Sequence, residues 1–292
     1  MKRSVFVAGA AACAASIARG VAASDPWAFP GTLALFAQRL RDPHPFIERS
    51  THARLPSASV IKLVILVGTV REIDAGRLRW TDRLTIEQRE IVAASESFGK
   101  AVPETRAPVR RLVEAMITQS DNTAANVLAD HLTFARVNAV ARSLGLAQTE
   151  LRRHFMDFAA RARGIENTTS AADMGALLLA VERGTRGMKT AIASESACRA
   201  IVAVMLRQED RETIPAGLGR HVPIANKTGV LDDVRNDVAI VDPYGSDPYV
   251  VALLSRFEPA KSVAAYARLE AVAGRIDALE TSQHPKAKPP ET

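Results

Sequence analysis

Cysteine is nearly absent from this 292-residue sequence, which holds only Cys13 and Cys198. Aromatic residues are scarce too, at 5%, so Ala, Val and Leu must fill the core of a chain that is 47% hydrophobic. Few aromatics and no long basic run exclude a base-stacking, phosphate-gripping surface, and no nucleic-acid partner is expected. Arg110-Arg111 and Arg152-Arg153 read as solvated faces or ion-pair partners. The six histidines lack paired ligand spacing, so no metal site and no cofactor are expected. No apolar run is long enough for a stable membrane span.

What is present starts at the N-terminus. Lys2 and Arg3 precede a short apolar stretch, Val5 to Ile17, and Val21-Ala22-Ala23 offers a small-residue cleavage site. This reads as a signal peptide, residues 1–23, cleaved near Ala23, and implies a periplasmic or secreted protein. The competing reading is a buried helix over residues 4–18. Lipidation at Cys13 would need a leucine-like residue that Ala10-Ala11-Ala12-Cys13 lacks. Cleavage removes Lys2, Arg3 and Arg19 and no acids, so the formal charge falls from +6 to 6 − 3 = +3. Cys198 alone then remains, which rules out an intrachain disulfide, and its helical apolar surroundings make it a small buried hydrophobe.

The length suits one large domain or two interlocked ones. Thr32 to Ala37 reads as a strand, Pro45 to Glu48 as its return, and Val60 to Val70 as a strongly apolar helix ended by Gly76. Residues 77–105 read as loop. Helices are expected over Val109 to Thr118, Thr123 to Leu132, Ala135 to Leu144, Ser170 to Glu182 (capped by Thr168 or Thr169) and Ser194 to Leu206, with residues 151–168 irregular. Strands return at Val222 to Val230, Val238 to Val241 and Tyr249 to Ser255, and a helix follows over Ala260 to Leu279. The order predicts an α/β (α+β) fold: an antiparallel sheet built from both chain ends, residues 24–56 and 207–281, with an inserted all-α domain, 57–206. Residues 282–292 read as a disordered tail.

Three short motifs carry the chemistry: Ser59-Val60-Ile61-Lys62, Ser120-Asp121-Asn122 and Lys227-Thr228-Gly229, separated by 61 and 107 residues. On a helix, Lys62 shares a face with Ser59, and a lysine whose pKa is depressed by burial can activate a serine. The helix N-terminus offers N–H groups to an oxyanion. Ser120 can relay a proton, and Asn122 can bind a carbonyl. Lys227 and Thr228 at a strand can hold a carboxylate, with Gly229 allowing close backbone approach. Each motif alone also has a plainer reading: a capping serine with an exposed lysine, a helix cap at Asp121 and Asn122, an edge strand with an exposed lysine.

Together the motifs are the signature of class A β-lactamases and penicillin-binding proteins. The chain resembles that family of penicillin-recognising serine hydrolases over roughly Gly31 to Leu279, and Met116 to Gln119, Asn122 to Asn126 and Asn236 to Val241 share the likeness. The resemblance implies an all-α domain against a five-stranded antiparallel α/β domain, and a monomer. It implies Ser59 as acylated nucleophile, Lys62 as its base and Ser120 as proton shuttle. Asn122, Lys227 and Thr228 become substrate ligands, and the backbone N–H groups of Ser59 and Val230 the oxyanion hole. The implied partner is a small β-lactam or a peptidoglycan-derived acyl substrate.

Two departures stand out. The family's Ω-loop glutamate, which activates water to hydrolyse the ester, aligns here with Phe155, and its companion asparagine with Ala159. The expected loop-neck contact becomes Arg153 with Asn167, weaker than an ion pair. Asp157 is the nearest acid, either a replacement base or an ion-pair partner of Arg152, Arg153 or Arg161. The missing glutamate favours a D-alanyl peptidase, an esterase or an acyl-trapping protein as alternatives to a β-lactamase. Only seven residues, Ser24 to Pro30, precede the first strand, so the family's first helix has no room. The outer sheet face is then partly bare, or covered by the C-terminal helix alone.

Overall fold

A computed structural model describes residues 25–190, 192–218 and 222–283. The expected signal segment, Cys13 and the tail beyond Gln283 lie outside the described residues. The strands are β1 (Gly31–Arg39), β2 (Ile47–Arg49), β3 (Leu55–Pro56), β4 (Arg83–Thr85), β5 (Arg106–Pro108), β6 (Thr168–Thr169), β7 (Ile224–Leu231), β8 (Val234–Val241) and β9 (Tyr249–Phe257). The helices are α1 (Lys62–Asp74), α2 (Val109–Thr118), α3 (Asn122–Leu132), α4 (Phe134–Ser143), α5 (Phe158–Ala162), α6 (Ala171–Thr185), α7 (Glu195–Met205), α8 (Ile214–Gly217) and α9 (Ser262–Gln283). Five strands form one antiparallel sheet in the order β2-β1-β9-β8-β7.

Period-two alternation explains how one sheet serves two cores. Ala34 and Phe36 of β1, Val250 and Ala252 of β9 and Val238 and Ile240 of β8 pack with α1, α3, α6 and α7. The intervening Leu33, Leu35, Val251, Leu253, Ala239 and Val241 pack with Leu269, Val272, Ala273 and Ile276 of α9. The outer face is therefore covered, but not by α9 alone: Ile214 of α8 and the adjoining Leu218 join it, and Trp27 and Phe29 pack against its edge. Arg268 donates to the Ala28 and Pro26 carbonyls, both at 2.7 Å, which ties the short leader to α9.

Several boundaries differ from expectation. Ser170, not Thr168 or Thr169, caps α6, its Oγ accepting the Asp173 N–H at 3.1 Å. The two threonines instead form β6, paired with β3. Residues 151–168 include a short helix, α5. β8 begins four residues earlier than Val238, because Arg235, Asn236 and Asp237 are buried and paired (Asn236 donates to Pro56 O and Asp237 accepts the Ile214 N–H). Cys198 is buried, its thiol pushed up to about 11 by desolvation first.

Candidate active site

The apolar run after Ser59 buries α1 nearly all round, and this drags Lys62 to full burial. Ser59 itself sits in a 3₁₀ turn, Ala58–Ile61, that leads into α1, and stays half-buried. Ala58 before it takes a positive φ of 46°, a conformation alanine rarely adopts. β7 runs close behind this turn. A Cβ on Gly229 would lie 2.9 Å from Ser57 O and from Ser59 N. The glycine thus serves an approach within the protein, whereas the sequence suggested approach by substrate. Asn236 of the neighbouring strand donates to Pro56 O at 3.0 Å and Ser57 O at 3.2 Å, fixing the turn from beneath.

A buried lysine must find acceptors. Lys62 Nζ donates to Ser120 O at 2.6 Å, Asn122 Oδ1 at 2.8 Å and Ser120 Oγ at 3.2 Å. Ser120 takes a left-handed φ of 58° in the sharp link between α2 and α3. Asp121 holds that link. Its Oδ1 caps α3 through the Ala124 N–H, and its Oδ2 accepts the Ser97 and Phe98 N–H groups. Lys227, also fully buried, donates to the same Ser120 Oγ at 3.0 Å and to Thr228 O at 2.8 Å.

Ser120 Oγ therefore stands between two buried lysine amines. Burial, and then the Lys227 charge, hold Lys62 well below the ordinary lysine range. Burial lowers Lys227 to about 7, against the opposing pull of Asp210 and Asp237. Two lysines whose pKa values are depressed by burial thus share one hydroxyl. A cleft of about 390 Å³ opens over it, lined among others by Ser59, Ser120, Asn122, Thr228 and Val230.

Phe155 is buried, and its ring centroid lies 4.6 Å from Lys62 Nζ. Asn126 latches the loop there, accepting the Phe155 N–H at 2.9 Å. An aromatic face thus covers one side of the lysine. Asp157 is not among the residues lining the cleft. Its Oδ1 caps α5 through the Ala160 N–H at 2.8 Å, a use that differs from both expected ones. The loop neck also differs from expectation. Arg153 pairs with Glu166 at 2.6 Å, and Asn167 adds hydrogen bonds to the Arg152 and Arg153 N–H groups. Sequence alignment of single positions missed this ion pair because its acid moved one residue. A larger cleft of about 1240 Å³ lies between α5 and the β7–β8 turn, away from Ser59, and its Arg161, Glu166, Asp233 and Arg256 neutralise one another.

Residues 18–276 match the profile of the Beta-lactamase enzyme family. The chain belongs to this family. It is 29% identical over 214 residues to a "Beta-lactamase" of Kitasatospora aureofaciens, covering 70% of this chain and 67% of that one. It is 30% identical over 149 residues to "Beta-lactamase 1" of Streptomyces cacaoi, half of this chain and 46% of that protein. The solved structure of PBP-A superposes with a TM-score of 0.77 at 27% identity, over 87% of this chain and 91% of that one. A point mutant of PBP-A, solved as an acyl-enzyme complex with penicillin G, gives 0.78 at 27% identity, with the same coverage. The fold is thus that of the β-lactamase-like hydrolases, a five-stranded antiparallel sheet with flanking helices. Among the described residues no helix is long and apolar enough to cross a membrane.

Proposed function

We propose that the protein is an exported serine hydrolase that opens β-lactam amides through an ester on Ser59. The observation that carries this reading is Ser120 Oγ, within 3.2 Å of Lys62 Nζ and 3.0 Å of Lys227 Nζ, at the floor of the cleft that holds Ser59. Lys62 in its neutral form takes the Ser59 proton as Oγ attacks the carbonyl carbon. The oxyanion is received by the Ser59 and Val230 N–H groups. Ser120 passes a proton to the departing nitrogen and is resupplied by Lys62 or Lys227. Lys227 and Thr228 hold the substrate carboxylate, and Asn122 its side-chain amide.

The second half-reaction needs an activated water. Phe155 against Lys62 favours a slow second step, as in a penicillin-binding protein whose natural acyl donor is a peptidoglycan-type peptide or ester. Asp157 as base finds no support in its capping contact.

Stopped-flow hydrolysis of a chromogenic cephalosporin, with mass spectrometry of the quenched protein beside Ser59→Ala, tests the reading. Steady turnover lost in Ser59→Ala supports a β-lactamase. A one-equivalent burst with stable acylation supports the penicillin-binding reading. No ester and no turnover would refute both.

A further inference from the structure

Asn122, Asn126 and Asp130 follow one another at four-residue spacing and share one face of α3. The first accepts a hydrogen bond from Lys62. The second holds both backbone polar groups of Phe155: its Oδ1 accepts the N–H at 2.9 Å, and its Nδ2 lies 3.5 Å from the carbonyl oxygen. The third holds the residue before, since His154 Nε2 lies 2.7 Å from Asp130 Oδ1. The His154 ring also meets Phe134 edge-on, with centroids 4.9 Å apart. The residue after Phe155, Met156, takes a left-handed φ of 66°. A side-chain-bearing residue keeps that backbone only where its surroundings impose it. The loop over Lys62 is therefore strained, and α3 grips it at two successive residues.

Glu90 braces this grip from within. It is buried at the end of the 3₁₀ turn Gln88–Glu90. Its carbonyl accepts Asn126 Nδ2 at 3.2 Å, its Oε2 accepts the Glu87 N–H at 2.6 Å, and its carboxyl hydrogen-bonds Asp130. Two touching carboxyl groups hold a proton between them. Burial first, and then the Asp130 charge, push Glu90 up to about 7, with Arg89 and His154 opposing. Among the described residues, the charged and titratable groups facing Glu90 are Glu87 and Arg89 of its own turn, Asp130 of α3 and His154 of the loop. Arg89 also reaches Asp130, at 3.3 Å.

We propose that Glu90, Asp130 and His154 are positioning residues that clamp Phe155 against Lys62 while Glu90 carries its proton, and slacken as that proton leaves. The clamped ring shields the Ser59 ester from water, a consequence that rests on Ser59 being the acylated nucleophile. The closed loop holds the Glu90 proton up to about 7, and an opened loop returns the carboxyl toward its ordinary 4.5. Closure thus binds a proton between those values: the clamp is full below the lower one, weakens up to the higher one and is level beyond it. Each pH unit in that window multiplies the open population by at most about ten.

The test is amide hydrogen exchange at Phe155 in the full chain, wild type against Glu90→Gln, at pH 5 and pH 7.5. Glutamine still accepts from Glu87 and donates to Asp130 at both values, so it imitates the protonated acid. Comparison at equal pH cancels the intrinsic pH dependence of exchange. The wild-type-to-variant rate ratio is expected to grow about tenfold or more between the two. His154→Phe keeps a ring against Phe134 but loses Asp130, and should exchange faster than wild type at both. The decay rate of the Ser59 ester after a benzylpenicillin pulse, read by mass spectrometry, should show the same growth in ratio. Growth of less than about twofold in exchange, unchanged exchange in His154→Phe, or an ester-decay ratio indifferent to pH overturns the proposal. Absence of any ester refutes the reading of Ser59 instead, and the exchange ratio still decides the clamp.

Discussion

Lys227 is a stability liability held in place by chemistry, and Lys227→Met should show it. Burial brings this ammonium from the ordinary 10.5 to about 7. A gap of about 3.5 in pKa corresponds to about 5 kcal/mol lost by the folded state when the lysine is charged. Methionine removes the charge and nearly conserves the straight-chain volume. It also deletes the hydrogen bonds to Ser120 Oγ and Thr228 O, which costs about 1–3 kcal/mol. The net expectation is a gain of about 2 kcal/mol at pH 7, or roughly 4–8 °C in Tm for a chain of this size. The sign with pH is fixed. Between about 7 and 10.5 the unfolded chain binds a proton here that the folded chain does not, so wild-type stability rises with pH across that window. The variant lacks that rise, so its advantage is full at pH 7 and below and turns into a deficit toward pH 10, where only the lost hydrogen bonds remain. Urea unfolding at several pH values between about 6 and 10 measures it. The same substitution removes the positive neighbour of Lys62, so the acid limb of ester formation should move to higher pH. A variant less stable than wild type at pH 7, or a difference flat across the window, would refute the reasoning.

Phe155→Glu places a carboxylate beside Lys62 and should shorten the life of the Ser59 ester by about 10²–10⁴-fold, read by mass spectrometry after a penicillin pulse. Glu166→Gln leaves the buried Arg153 guanidinium without its counter-charge and should lower stability by about 2–4 kcal/mol in urea unfolding. Asp157→Asn keeps the α5 cap, since asparagine caps as well as aspartate, so Tm and ester decay should match wild type, and slowed decay alone would make that carboxylate the base of the second step.

Much of the fold was legible because its signals are periodic. β1 and β9 read as apolar runs because both faces are buried, one residue in each core. The apolar stretch of α1 announced that Lys62 would be desolvated, and residues of all three motifs, Lys62, Ser120, Asn122 and Lys227, meet in one hydrogen-bonded cluster. What escaped were buried polar groups. Arg235, Asn236 and Asp237 interrupt the apolar pattern of β8, and strand-finding by hydrophobicity stops where they begin. Each is paired at a distance the sequence cannot express: Arg235 to Asp210, Asn236 to Pro56 and Ser57, Asp237 to Ile214. Asp237 stays buried and is raised by that burial to about 7.

These misses share a cause. The residues that break β8's pattern are those that brace the Ser59 turn and surround Lys227, so the local rule fails where the strand is used to hold a site. Gly229 argues the same way. As the last residue of its motif it looked like room for a substrate, yet its missing Cβ lets β7 reach Ser57 and Ser59. The strand carrying Lys227 and the turn carrying Ser59 are thus locked edge to edge, with Ser120 bridging the two lysines. Displacing β7 would separate Lys227 from Ser120 while leaving Lys62 in place. The proposed proton relay and anion clamp therefore depend on one backbone contact that no side-chain motif encodes.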